Sequence, residues 1–505
     1  MKNKTSQNPS RSIPPASPLA NQVAFNSLFS SITKISGTVL SIIALGIVNR
    51  ALGTEGVGKY NTILTLFYML TAFGDLGLNA ITAREISKAK SIKEEKTIIS
   101  TVIGLRFITS TLLVLAALLM YFLLNYDENI RKGILIISLG TYFALTYQVL
   151  TGIFQKRLTA YKVSIAEFFG RIVNLSWIIV CWKYNLSLLW VLQGMMLSWF
   201  TIFVIVLSLS RRVIKFNFKI DLDKSKKLLK LSLPIGLSTV ITFLYFRADT
   251  LVLSWLKDMH AVGIHSAAYK IVENLTYFPA MFMGLILPLL SKYIYREKVK
   301  FKKIANRAFD AISIVSMGIL FGILALASEI IAIIAGNEFT SSILPLKLLS
   351  VAILGIFFGQ YFNMVLIAAN QQRKLLKIFI IAAVFNLTSN FIFIPHYSYL
   401  ATATISSLTE ILVALLGSIL LYKNTKYLPS FKAFFKSLLA GLIMFFELMI
   451  LSKFLPPADS KLIFLAFTGF KILTGGLTYL IIVYALKAFN KKDFESILPK
   501  RLKKL

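Results

Sequence analysis

The sequence predicts an all-α polytopic membrane protein of about fourteen transmembrane helices, built as two pseudo-symmetric six-helix lobes plus two C-terminal helices, both termini cytoplasmic. Three observations carry that expectation. Of 505 residues, 56% are hydrophobic and 15% charged, with a mean hydropathy of +0.73, an excess that no water-soluble core explains. The apolar residues gather in long windows, most of them about twenty residues or more, the length an α-helix needs to cross a bilayer. The Lys and Arg residues collect in every second gap between those windows, as the positive-inside bias requires.

The elements follow in order. Residues 1–22 are polar, carry Pro9, Pro14, Pro15 and Pro18, contain no apolar run and are expected to form a disordered cytoplasmic tail. Residues 24–48 are apolar, too long for a signal-peptide core and followed by no small-residue cleavage site, so they read as a retained first span. Windows at 60–80, 97–124, 133–154, 163–182 and 186–209 are spans two to six, which completes an N-lobe over 23–209. A basic stretch, 210–227, is the cytoplasmic linker. Windows at 228–256, 261–290, 305–335, 343–369, 375–394 and 399–422 are spans seven to twelve, a C-lobe over 228–422. Spans thirteen and fourteen, at 433–455 and 461–486, lie within 423–488, and 489–505 is a basic cytoplasmic tail.

Charge tests this topology independently of hydropathy. Of the 55 Lys and Arg residues, 40 fall on the side of the termini, 8 on the other side and 7 inside spans. The net charge of +33 is therefore mostly a solvated inner face and requires no nucleic-acid partner. The loops on the opposite side are short, leaving no external domain to host chemistry. Cys181 is the single cysteine, and His260, His265 and His396 are the only histidines, so neither a disulfide nor a metal site is expected. There is no Walker loop, nucleophile elbow or HExxH motif, so the reading is a transporter rather than an enzyme, with no cofactor, driven by a gradient.

An internal repeat supports the two lobes. Val57-Gly58 enters the second span and Val262-Gly263 the eighth, while Ser87-Lys88 and Ser291-Lys292 end them, at offsets of 205 and 204. Both spans run from outside to inside, so the repeat is parallel, about an axis along the membrane normal.

Ionisable residues inside spans are costly and usually face a cavity or a partner. Here they are Lys34, Arg106, Arg171, Arg247, Lys270, Lys347 and Lys471, with Asp75, Glu167, Asp249, Glu273, Glu410 and Glu447. Glu167 with Arg171 and Lys270 with Glu273 stand four and three residues apart, a spacing that fits a structural ion pair as well as it fits a site. Asp75 reads first as a partner for Arg84. Arg247 and Asp249, two apart, point to different sides and should not neutralise each other. Lys34 and Arg106 have no acidic neighbour at helical spacing, so with Arg247 they are expected to line a cavity. Lys347 is expected to snorkel, and Glu410, Glu447 and Lys471 stand equally for interhelical pairing and for transport. Unpaired Arg and Lys in a cavity suit an anionic ligand, Arg most of all for phosphate oxygens. Gly74 with Gly77, Pro234 with Gly236, and Pro279 and Pro288 mark kinks.

Several stretches resemble one family. Leu52-Gly-Thr-Glu-Gly-Val-Gly-Lys-Tyr60, Gly74-Asp-Leu-Gly-Leu78 and Arg84-Glu-Ile86 resemble the start of the polysaccharide-transporter family, the flippases for lipid-linked oligosaccharides. In the second lobe, Arg247-Ala-Asp-Thr-Leu251, Val262-Gly-Ile264, Ala267-Ala-Tyr-Lys270 and Phe278-Pro279 resemble it too. The family belongs to the multidrug, oligosaccharidyl-lipid and polysaccharide exporter superfamily. The resemblance implies a V-shaped cavity between the lobes, alternating access, and a polyprenyl-pyrophosphate oligosaccharide carried from the inner to the outer leaflet of a prokaryotic cytoplasmic membrane. Lys34, Arg106, Arg171, Arg247 and Lys270 would then attract the pyrophosphate, and Asp75, Glu167, Asp249 and Glu273 would serve coupling or gating. The expected partners are the lipid-linked oligosaccharide, membrane lipid and glycan-assembly proteins such as a polysaccharide polymerase. Two other readings stay open: a cation-coupled multidrug exporter of the same superfamily, and a scaffold of glycan assembly without transport.

Overall fold

The computed structural model describes residues 18–217, 221–455 and 460–488, which are almost entirely helical. Most of the expected N-terminal tail and the whole basic tail 489–505 lie outside the described residues. In chain order the helices are α1 (Pro18–Asp75), α2 (Leu78–Lys88), α3 (Ile92–Leu123), α4 (Glu128–Leu139), α5 (Thr141–Lys156), α6 (Tyr161–Lys183), α7 (Leu188–Val213), α8 (Leu222–Leu256), α9 (Met259–Leu275), α10 (Tyr277–Tyr293), α11 (Lys298–Ile334), α12 (Ile343–Ala368), α13 (Gln372–Thr425), α14 (Lys432–Phe454) and α15 (Lys461–Ala485), with a 3-10 turn at Asn337–Ser342 before α12. Helix α1 begins at Pro18, so the last five residues of the expected tail are helical. Proline suits the first helical position, where its missing N–H is not needed.

Among the described residues, 12 segments are long and apolar enough to cross a membrane, and two of them cross twice. Helix α1 has 58 residues, about 87 Å at 1.5 Å per residue, nearly three bilayer cores. It folds back at Gly53, whose φ of 64° lies in the left-handed region. Helix α13 folds back at Ser398 (φ 51°), and its arms touch: Asn386 Nδ2 donates to Thr409 Oγ1 at 3.2 Å and Lys374 Nζ to Asn424 Oδ1 at 2.6 Å. With each hairpin counted as two arms, the described residues hold fourteen candidate spans, the number that hydropathy predicts.

Three spans are broken inside the bundle, each for a local reason. Leu76 and Gly77 both take positive φ between α1 and α2. Gly140 separates α4 from α5. Helix α9 ends at Leu275, the residue four before Pro279, because Pro279 has no N–H for that carbonyl and its ring crowds it. Pro234 and Pro288 remain inside α8 and α10. Aspartate side chains cap three helices: Asp127 accepts from Ile130 N (2.9 Å), Asp221 from Lys224 N (3.1 Å) and Asp258 from Ala261 N (2.8 Å).

The last two spans dock on α11. Met317, Leu320 and Phe321 pack with Met444, Leu448 and Tyr479, and Lys471 Nζ lies 2.9 Å from Glu329 Oε1, both buried. Lys471 is thus an interhelical pair, with an acidic partner, Glu329, that the sequence reading did not single out. Lys347 is exposed, as snorkelling requires.

Candidate functional site

The first six and the next six spans meet around a central cavity of ≈ 740 Å³. The second arm of α1 turns Tyr60, Asn61, Leu64, Tyr68, Thr71 and Asp75 into it, residues three or four apart that share one helix face. Across from them stand Thr239 and Arg247 of α8 and Lys270, Glu273 and Asn274 of α9, while Gln148 of α5 and Asn174 of α6 close the side. Ser41, Ala44 and Val48, on the first arm of α1, line the same space; on a straight helix Ser41 and Tyr68 would be about 40 Å apart.

Glycine contacts close both ends. At the end poor in Lys and Arg, a Cβ on Gly58 would collide with the carbonyl of Met259, and one on Gly263 with the carbonyl of Thr54. Around this contact, Thr54 Oγ1 and His260 Nδ1 are 2.7 Å apart, and Tyr126 and Ser254 share a hydroxyl hydrogen bond of 2.8 Å. Arg50 donates to the carbonyls of Ala332, Ile333 and Ile334, the negative C-terminal end of α11. At the opposite end, a Cβ on Gly77 would lie 2.6 Å from Ser232 O and one on Gly236 2.6 Å from Leu76 C. Cavity-lining positions on the second arm of α1 run between Gly58 and Gly77, so the space lies between the two contacts.

Arg247 is held by the Glu273 carboxylate and stands over the rings of Tyr68 and Tyr269, 5.5 and 5.8 Å from their centroids. Lys270 Nζ lies 2.9 Å from the other Glu273 oxygen. The expectation of an unneutralised Arg247 is therefore corrected: its counter-charge comes from α9, 26 residues on. The Lys270–Glu273 pair forms at its helical spacing, and both members still face the cavity. Two cations share one carboxylate.

Arg106 departs furthest from expectation. It is fully buried, and instead of lining the cavity it binds the Asp75 carboxylate and donates to Gly74 O at 3.1 Å. The physical cause is the kink: with Leu76 and Gly77 out of helical geometry, the last carbonyls of α1 lack their usual donors, and a guanidinium from α3 supplies them. Asp75 does reach the cavity wall, but its partner is Arg106 rather than Arg84. With that pair neutral, Arg247, Lys270 and Glu273 leave the described wall with one positive charge in excess.

Arg171, Glu167 and Asp249 lie off the described wall. The Arg171 guanidinium presses on Gly37 of α1, where a Cβ would fall 2.5 Å from Nη1, and both Arg171 and Glu167 lie within electrostatic reach of Tyr147. Asp249 is buried inside the second set of spans, accepting from Ser406 Oγ at 2.9 Å and from the backbone N–H of Thr250 at 2.6 Å. Lys34 is on α1, its side chain outside the described residues. Tyr68, Asn61 and Gln148, and the closing residues Arg50 and His260, were missed; a polar stripe at helical spacing from Asn61 through Tyr68 and Thr71 to Asp75 was the available signal.

Comparison with known proteins agrees with this architecture. Residues 23–294 match the family described as polysaccharide biosynthesis protein. The capsular polysaccharide biosynthesis protein CapF of Staphylococcus aureus is 25% identical over 410 residues, 79% of this chain and 98% of CapF. Among solved structures, the lipid II flippase MurJ in an inward closed conformation superposes with a TM-score of 0.73 at 17% identity, over 92% of this chain and 99% of MurJ. An inward-facing multidrug resistance transporter of the MATE family superposes with a TM-score of 0.65 at 16% identity, over 82% of this chain and 96% of that one.

Proposed function

The chain belongs to the family of polysaccharide biosynthesis proteins, and from that premise we propose that it is a flippase for a polyprenyl-pyrophosphate-linked oligosaccharide. It carries this lipid from the inner to the outer leaflet of a prokaryotic cytoplasmic membrane by alternating access. The observation that supports this best is the central cavity, whose described wall sets Arg247 and Lys270 against the single carboxylate of Glu273. An incoming pyrophosphate competes with Glu273 for both cations, and the Arg fork offers it two parallel hydrogen bonds. Tyr68, beside the guanidinium on the cavity wall, offers an aromatic ring suited to the sugar next to it. Gln148, Asn174 and Asn274 add amides for its hydroxyls.

On this reading, with both termini in the cytoplasm as the positive-inside bias suggests, the Gly58–Gly263 contact faces outside and the Gly77–Gly236 contact inside. Each contact is then a gate, and opening one while the other stays shut is alternating access. The lipid tail remains in the bilayer. Cargo bound more tightly in one state than in the other shifts their populations, which is all the coupling requires.

The test is transbilayer movement of a labelled polyprenyl-pyrophosphate oligosaccharide in liposomes containing the purified protein, scored by lectin access from outside. Movement that slows with Arg247→Gln and Lys270→Gln supports the reading. Export of an organic cation without lipid movement would replace it by a multidrug exporter.

A further inference from the structure

A second pocket, of ≈ 710 Å³ and so nearly as large as the central cavity, lies on the far side of the Gly58–Gly263 contact. Along the second arm of α1, Glu55 and Lys59 face this pocket, whereas Tyr60 and Asn61 face the cavity. The walls come from both halves of the chain: α1 and the α3–α4 loop on one side, the end of α8 and the start of α9 on the other. Tyr126 on the first wall is hydrogen-bonded to Ser254 on the second, at 2.8 Å. A pocket walled in this way exists only while that end of the bundle is shut.

The two spaces carry opposite charge. The described wall of the second pocket sets three carboxylates, Glu55, Asp127 and Asp258, against Lys59 and Lys257, one negative charge in excess where the cavity has one positive. A pyrophosphate or a lipid phosphate is repelled there. A metal ion is poorly served too, because the carboxylates are already engaged: Glu55 and Asp127 hold Lys59 at 2.9 and 2.6 Å, and Asp127 and Asp258 cap α4 and α9. What remains is hydrogen-bonding capacity around an apolar ring. Carboxylate oxygens accept hydroxyl protons, the Asn125 amide donates and accepts, and Trp255 lies 54% exposed at the end of α8. That mixture suits a neutral saccharide, whose hydroxyls donate and accept and whose ring C–H groups pack on an aromatic face.

We propose that this pocket is a second saccharide site, where the sugar part of delivered cargo binds from outside and holds the outer gate shut. The identity of the ligand rests on the flippase reading; the effect rests on the two-sided wall. A sugar that bridges Glu55 or Asn125 to Trp255 or Asp258 binds the closed form alone, and by mass action it stabilises that form. At ten times its dissociation constant, the closed population gains about tenfold over the open one. Product accumulating outside therefore slows further delivery. The sign of the wall sorts the two parts of the cargo, admitting sugar and excluding pyrophosphate.

The probe is the lipid-free oligosaccharide released by mild acid hydrolysis of the same lipid-linked compound, titrated into the full-length protein in detergent and followed by calorimetry. Binding should be lost in Trp255→Ala, kept in Trp255→Phe, weakened several-fold in Glu55→Gln, and lost in Gly263→Ala, whose outer end is propped open. Arg247→Gln, in the cavity, should leave it unchanged. In liposomes, the oligosaccharide added outside and washed away before the lectin should slow lipid movement several-fold in the wild type and not in Trp255→Ala. The two readings fail differently. No binding, binding indifferent to Trp255 and Glu55, or binding abolished by Arg247→Gln overturns the second site, whatever the lipid does, and binding that leaves movement at full rate overturns its hold on the gate. Binding that follows these variants in a protein that moves no lipid overturns the flippase reading and leaves the saccharide site standing.

Discussion

Gly58 and Gly263, 205 residues apart and at matching places in the repeat, meet backbone to backbone: the Cβ that each lacks would collide with the carbonyl one turn before the other, at Met259 and at Thr54. Gly263→Ala should therefore prop the outer end open. Expected are longer distances between spin labels at Asn129, at the start of α4, and Tyr397, beside the bend of α13, in a Cys181→Ala background, and a loss of about 1–3 kcal/mol in stability, the usual cost of overpacking, read by thermal unfolding in detergent. Unchanged distances and unchanged melting would show that the contact is not a gate.

Arg50 reinforces the same end of the bundle through three carbonyls at the end of α11. Hydrogen bonds from a charged donor contribute about 1.5–3 kcal/mol, so Arg50→Gln should raise the open fraction about tenfold or more. The spin-label distances report this directly, and Arg50→Lys, which keeps the charge but not the fork, should fall between.

Removing Arg106 should damage the fold more than the cavity. Breaking a buried ion pair from one side costs about 3–5 kcal/mol because the partner is left uncompensated. Arg106→Gln should lower the melting temperature sharply, whereas Arg106→Met combined with Asp75→Leu should recover part of the loss. A variant that melts normally yet fails to move lipid would return Arg106 to the cargo site.

Glu273 pairs with both Arg247 and Lys270, and under the proposed function it is the anion that a pyrophosphate displaces. Glu273→Gln should therefore tighten binding of a pyrophosphate lipid severalfold while slowing its release, so the apparent KM and the maximal rate of lectin-scored movement fall together. Arg247→Gln should move KM the other way.

Much of the architecture was legible in the chain because it depends on one-dimensional quantities. Hydropathy windows located fourteen crossings, including both hairpins, since a span is a matter of length and apolar content. The Val-Gly and Ser-Lys offsets marked the repeat, whose glycines turned out to touch. Lys270–Glu273 was foreseeable because helical spacing places both on one face. Helical spacing says nothing of a partner on another helix, however. Arg106 with Asp75, Arg247 with Glu273 and Lys471 with Glu329 are 31, 26 and 142 residues apart, and each was singled out by its cost in the membrane without its counter-charge being known.

The sequence by itself thus determined that this is a helical membrane protein, how often it crosses, which gaps carry its positive charge, and which ionisable side chains are buried in spans. Only the tertiary structure decided which of those charges face the cavity and which hold helices together. The reason is that the kink at Leu76–Gly77 frees carbonyls that draw Arg106 out of the cavity, while docking of the two halves through paired glycines brings Tyr68 to Arg247. Both are properties of how helices meet, and no period within one helix encodes them.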